Sequence, residues 1–287
     1  MAWARPVAGA GVLAVLLWRL GSGPFLDGVR LLDGRAVAAA LGIGVLTTVC
    51  CAWRWSLVAG GLGLRLPLGP AVAACYRSVF LNATLPGGVV GDVDRAVHSG
   101  RAAGDVGRGV RAVVWERTAG QLVQLAVAVA VLLALPSPVR SAMPVVALVA
   151  VAAVLAAVLL PRARWARAVG ADARAALLAP STRVGIAVAS AVTVAGHVAT
   201  FLIAARASGS VASLTRLLPL ALLALLAMSI PANVAGFGPR EGMAAWAFGA
   251  AGLTAAQGVS TGVAYGVLVV AGSLPGAGVL LWRRTRG

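Results

Sequence analysis

Residues 230–241 read IPANVAGFGPRE, in which two prolines and two glycines surround an adjacent Arg240–Glu241 pair inside an otherwise apolar part of the chain. The local pattern is that of a helix start. Gly238 suits the N-cap and Pro239 the first helical position, where a missing N–H costs nothing. Arg240 and Glu241 then fall in the first turn, where free backbone N–H groups and the helix dipole favour an anion. Arg240 adds a planar fork suited to a phosphate or a carboxylate. Asn233 and Gly236, in the break just before, complete this candidate substrate-binding stretch.

A second version stands 145 residues earlier, where residues 85–96 read LPGGVVGDVDRA and Pro86, Val89, Gly91 and Arg95 match Pro231, Val234, Gly236 and Arg240. Here Asp92 is placed to cap the helix that carries Arg95. Between the two copies Glu116 and Arg117 lie in a long apolar run, roughly 9 Å inside it at 1.5 Å per residue. Charges at such depth are costly and face a bundle interior.

These residues support two readings. In one, Arg95 and Arg240 engage an anionic head group from two broken helices. In the other they make structural salt bridges with Glu116, Glu241 or Asp94, and the glycines only let helices pack closely. Glu116 is expected to hold an arginine rather than to carry a proton. Other chemistry has weaker signals. His98, beside Ser99, reads as a solvated loop histidine and His197 as a helix-packing one, with no carboxylate or cysteine at ligand spacing. Cys50, Cys51 and Cys75 read as small buried hydrophobes. No convincing HExxH, GxSxG or Walker sequence is found, and Gly87–Gly91 is not followed by a Lys-Ser/Thr pair. No metal, cofactor or enzymatic activity is expected.

The elements that must position these residues are membrane helices. Of 287 residues 60% are hydrophobic and 11% charged, with a mean hydropathy of +0.95. A soluble domain of this length shows far more polar surface. The net charge of +16 comes from arginine alone, gathered in short connections between apolar runs. That is loop bias and head-group contact rather than nucleic-acid binding. Full spans are expected at 7–20, 36–60, 110–135, 143–160, 183–205 and 257–282, joined by loops at 21–35 and 161–182. The first run lacks a small-residue cleavage site and is expected to be retained. In the second, Arg54 is expected to snorkel to the interface, with Trp53 and Trp55 in the aromatic belt. Two stretches too short to span, 70–85 and 214–230, stop at Pro86 and Pro231 and lead into short helices at 92–104 and 239–251.

The expected fold is therefore all-α. It is a single polytopic membrane domain over 1–287, with about six full spans and two re-entrant-type hairpins, in repeat halves at about 36–135 and 183–282. Three spans between the breaks would invert one copy relative to the other, and paired discontinuous helices point to a transporter's central site. With both termini in the cytoplasm of a cell-membrane protein, thirteen connecting arginines lie inside and six outside, as the positive-inside rule favours.

At Arg54-Trp55, LPGGVVGDVDRA, VVWER at 113–117 and IPANVAGFGPREG at 230–242, the chain resembles the transmembrane region of lysylphosphatidylglycerol synthases, the flippase-like family, over roughly 36–282. Ala235 replaces one of two adjacent glycines usual there, and Asp92 and Asp94 stand where a Glu and an apolar residue are more usual. The resemblance implies movement of an anionic, aminoacylated or polyprenyl-linked lipid between leaflets. Its alternative is a membrane scaffold presenting lipid to a partner such as a glycosyltransferase. The soluble lipid-making domain of the bifunctional synthases has no counterpart in this sequence, so aminoacyl transfer is not implied.

Overall fold

The computed structural model describes residues 4–85, 88–141, 164–230 and 237–284. Twelve helices carry the regular structure of these residues. They are α1 (Ala4–Leu20), α2 (Gly23–Arg30), α3 (Gly34–Gly61), α4 (Leu68–Thr84), α5 (Val90–Ala102), α6 (Val106–Ala134), α7 (Arg164–Leu177), α8 (Arg183–Ala207), α9 (Leu214–Met228), α10 (Pro239–Ala250), α11 (Ala255–Ser273) and α12 (Pro275–Arg284).

Among the described residues α3, α6, α8 and α11 are long and apolar enough to cross a bilayer, and α1 with α2 makes a fifth candidate bent by 98°. The expected span at 143–160 lies outside the described residues. The expected final span, 257–282, is two helices, α11 and α12, because Pro275 cannot donate to the ladder that α11 would extend. The two expected loops are also corrected. Residues 21–35 contain α2, whose Gly28 packs on the Ser260 carbonyl and Val263 of α11. Residues 161–182 contain α7, whose Ala176 is fully buried and whose Ala175 carbonyl lies against Gly61. Arginines and glycines suggested connections, but a few small residues at helical spacing suffice once another helix covers them.

Local signals set the helix starts. Asp33 accepts a 2.8 Å bond from Ala36 N, Asp105 a 2.8 Å bond from Arg108 N, and Thr254 a 3.1 Å bond from Gln257 N, each satisfying a first-turn donor. The order of elements recurs: Gly34 to Arg183, Leu68 to Leu214, Val90 to Pro239 and Val106 to Ala255 are separations of 146–149 residues. The short helices α4 and α9 thus occupy equivalent places. At 15 residues, α9 reaches only about 22 Å, too little to span. Leu217, Leu220, Leu222 and Ala224 bury it against Phe201 of α8, Phe248 of α10 and Tyr265 of α11. A helix apolar all round belongs inside a bundle.

Candidate functional site

The first hairpin, α4–α5, is tied at its break by Asn82, whose Oδ1 accepts from Gly91 N at 2.8 Å and whose Nδ2 donates to Asp92 Oδ2 at 3.2 Å. A Cβ on Gly91 would run into the backbone of Ser78, so only glycine lets the two helices meet here. Val89 holds the N-cap position. Asp92 therefore sits one turn in and is not the expected cap. Its carboxylate instead accepts from Ser78 Oγ at 3.1 Å, Arg95 Nε at 3.1 Å and Arg117 Nη2 at 2.5 Å.

Beneath that carboxylate lies an ionic core. Glu116 on α6 has no exposed surface. One of its oxygens accepts from Arg95 Nη2 at 2.5 Å, and the other from Arg54 Nε at 2.9 Å and from Arg54 Nη2. Arg54 Nη1 continues to Ser190 Oγ at 3.1 Å, in space left by Gly120. Arg95 also lies 4.9 Å from the centroid of the Trp55 ring. The expected snorkelling of Arg54 and interfacial place of Trp55 are thus overturned: both are buried, because a carboxylate at this depth draws cations inward. Trp53 is partly exposed. Cys51 and Cys75 are more than apolar filling. Their sulfurs lie 4.0 Å apart, with Cys51 3.6 Å from Glu116 Oε1 and Cys75 3.7 Å from Arg95 Nη1.

The second hairpin follows the expected pattern where it is described. Gly238 is the N-cap, with a φ of +134° that side chains disfavour, and Pro239 opens α10. Glu241, fully buried, accepts from Gly238 N at 2.6 Å and from Arg240 Nε at 2.9 Å and Nη2 at 2.5 Å. The Arg240 guanidinium lies 4.9 Å from the Tyr265 ring centroid and 5.5 Å from that of Phe237, and a Cβ on Gly266 would displace it. Asn233 and Gly236 lie outside the described residues. Asp94 serves neither Arg95 nor Arg240; it stands 2.6 Å from the buried Arg77.

Three chambers open between these groups, of about 400, 180 and 140 Å³. Arg117 and His197 line all three, which makes them one branched cavity. The second chamber is bordered by Asn82 and Gly88 of the first break and by Phe237 and Arg240 of the second. Both hairpins therefore face a common space. Of the candidate residues Arg117 is central to the cavity and Arg240 and Glu116 border one chamber each, while Arg95 lines none of the three. His197 bonds Tyr265 OH through Nδ1 at 2.9 Å, so it is a cavity residue and not merely a packing one. His98, expected in a loop, is on the exposed side of α5.

A family model described as the lysylphosphatidylglycerol synthase TM region matches residues 3–276. The chain belongs to that family. The same comparison made with curated proteins and with solved structures found no match. As a member of a lipid-handling membrane family with four or five candidate spans among its described residues, it is a multi-pass membrane protein.

Within this family fold several site residues escape a sequence reading. Asn82 and Ser78 precede the break at helical spacing but look like ordinary polar residues of an apolar helix. Arg54 carries a signal, an arginine preceded by twenty or so apolar-rich positions from its helix start, but only the approach of Glu116 fixes its direction. His197 and Tyr265 are 68 residues apart, and nothing local announces their contact.

Proposed function

We propose that this protein binds the head group of an anionic lipid in the central cavity and passes the lipid between leaflets, without making or breaking a bond in it. The observation that carries this reading is charge. Arg54, Arg117 and Arg240 line the cavity against Asp92 and Glu116, three cations to two carboxylates. Behind its wall Arg95 pairs with Asp92 and Glu116, and Glu241 pairs with Arg240. Arg54, Arg95 and Arg240 are buried and paired, whereas the Arg117 side chain keeps 48% of its surface exposed. A surplus cation at membrane depth calls for an anion, and a phosphodiester meets a guanidinium with two parallel bonds.

Two further elements belong to the proposal. The matching order of α3–α6 and α8–α11, with both breaks on one cavity, supports an inverted repeat around a central site. The arginine asymmetry supports cytoplasmic termini. Native mass spectrometry of the purified protein tests the site: the wild type is expected to retain anionic phospholipid, and Arg117→Gln to lose about tenfold or more of it, the value of one charge-assisted contact. Redistribution of a labelled anionic lipid in vesicles tests transport; retention without redistribution would favour the lipid-presenting scaffold and a partner enzyme. Equal retention by Arg117→Gln would defeat the site.

A further inference from the structure

Arg117 does more than line the inner chambers. A groove of about 450 Å³ runs along one face of α6, past Val114, Thr118, Leu122 and Leu125, and its polar end is formed by Asp92, Arg117 and Gln121. Those same three residues line the largest inner chamber. The groove and the cavity therefore meet at one polar junction. Val114 and Leu122 are 54% and 51% exposed, so this is the outer, lipid-facing side of a 29-residue helix. Arg117 is the twelfth residue of that helix, about 17 Å from its start at 1.5 Å per residue. A half-exposed arginine near the middle of a span, beside an apolar stripe, is costly unless something anionic reaches it from the bilayer.

We infer that this junction is the lateral portal of the cavity: one acyl chain of an anionic phospholipid lies in the α6 groove while its phosphate takes Arg117 from Asp92. The inference rests on the head-group reading above and adds where the lipid enters and what holds its tail. Two contacts close the portal. One is the Arg117–Asp92 ion pair at 2.5 Å, and the other is the bond from Ser229 Oγ, just past α9, to Gln121 Oε1 at 2.9 Å. The ion pair is built to open. Asp92 keeps Ser78, Asn82 and Arg95 when Arg117 leaves, so no carboxylate is stranded. The Gln121–Ser229 bond is exposed, and water or a head-group oxygen can replace either side of it. The occupant follows from the lining: a stripe at i, i+4 and i+8 takes an extended alkyl chain, and the cation at its end selects a negative head.

The test is photolabelling in nanodiscs with a phosphatidylglycerol carrying a diazirine midway along one acyl chain, with a phosphatidylcholine bearing the same group as comparison. Peptide mapping of the wild type is expected to find adducts on Val114, Thr118 or Leu122 with the anionic probe in excess over the zwitterionic one. Leu122→Trp, which fills the groove from an exposed position, should abolish that excess; Val114→Trp serves equally if the first variant fails to fold. Arg117→Gln should also abolish it. Soluble glycerol phosphate should not compete, because it has no chain to occupy the groove. Equal labelling by the two probes, or labelling unchanged by a groove-filling tryptophan, overturns the portal. If Arg117→Gln still lowers lipid retention in that case, the cavity reading stands alone; if it does not, both fall.

Discussion

Glu116 is the residue on which most of the first half's charge converges, since it holds Arg54 from α3 and Arg95 from α5 at once. Removing one partner of a buried ion pair costs more than the pair is worth, because the other charge stays desolvated. Glu116→Gln removes the negative charge and one of the two oxygens that Arg54 and Arg95 share, so it is expected to lower stability by about 3–5 kcal/mol, read as a lower midpoint of thermal unfolding in detergent. Arg54→Met combined with Glu116→Gln should lose less than the two single changes added together. Arg240 follows the same logic in the second half. Its Nε and Nη2 are spent on Glu241, and among the described residues its Nη1 has only Met228 Sδ at 4.0 Å. Arg240→Ala should therefore destabilise, by a similar amount, and Glu241→Gln added to it should restore part of the loss. A stable Arg240→Ala that sheds its lipid would instead make Arg240 a head-group contact.

At the scale of elements, each hairpin is a short helix, a break and a second short helix started by a device suited to its place. In the first, α5 starts where Gly91 N meets Asn82, with α4 pressed against its backbone. In the second, α10 starts from a Gly238 whose conformation excludes other residues, closed by Glu241. The partner across each hairpin differs. Arg95 meets a carboxylate on α6, Glu116, whereas Arg240 meets the face of an aromatic ring on α11, Tyr265. Both halves therefore add a cation–π contact to a carboxylate, Trp55 under Arg95 and Tyr265 under Arg240, but the carboxylate lies on another helix in the first and next in sequence in the second. Gly91→Ala tests the first hairpin. Its Cβ has no room, so α5 must shift, at about 1–3 kcal/mol for overpacking. Because Asp92 shifts with α5, the variant should weaken the hold on Arg117 and alter anionic-lipid retention. Asn82→Ala, which removes the tie without crowding, should produce the same change in retention with a smaller loss of thermal stability.

At the scale of the whole molecule, residues of both hairpins border one cavity, and the arginine asymmetry read from the sequence is what supports the proposed orientation. With termini in the cytoplasm, single cysteines at Ser137 and Ala171, in a background where Cys50, Cys51 and Cys75 are replaced, should label from opposite sides of the membrane. A membrane-impermeant maleimide applied to intact cells should reach Ser137→Cys and not Ala171→Cys. Labelling of both from outside would refute the orientation, and with it the direction assigned to the two hairpins.

The sequence by itself determined the class of the molecule, its family and the residues that matter most. Long apolar runs admit only helices in a bilayer, since each backbone polar group must be satisfied within its own segment. Proline and glycine act locally too, so the start of α10 and the shortness of α4 and α9 were legible from composition alone, whereas α5 begins at Val90, ahead of the Asp92 cap expected for it. The tertiary structure decided what each charge does. Arg54 looked like an interfacial arginine and Arg117 a neighbour of Glu116, yet burial reverses them: Arg54 is enclosed by α6 and α8, and Arg117 faces the cavity and the groove. Successive residues on a helix point about 100° apart, so Glu116 and Arg117 could not both face the ionic core. Which of them did was set by where α3 and α5 pack, and no local pattern in the chain encodes that.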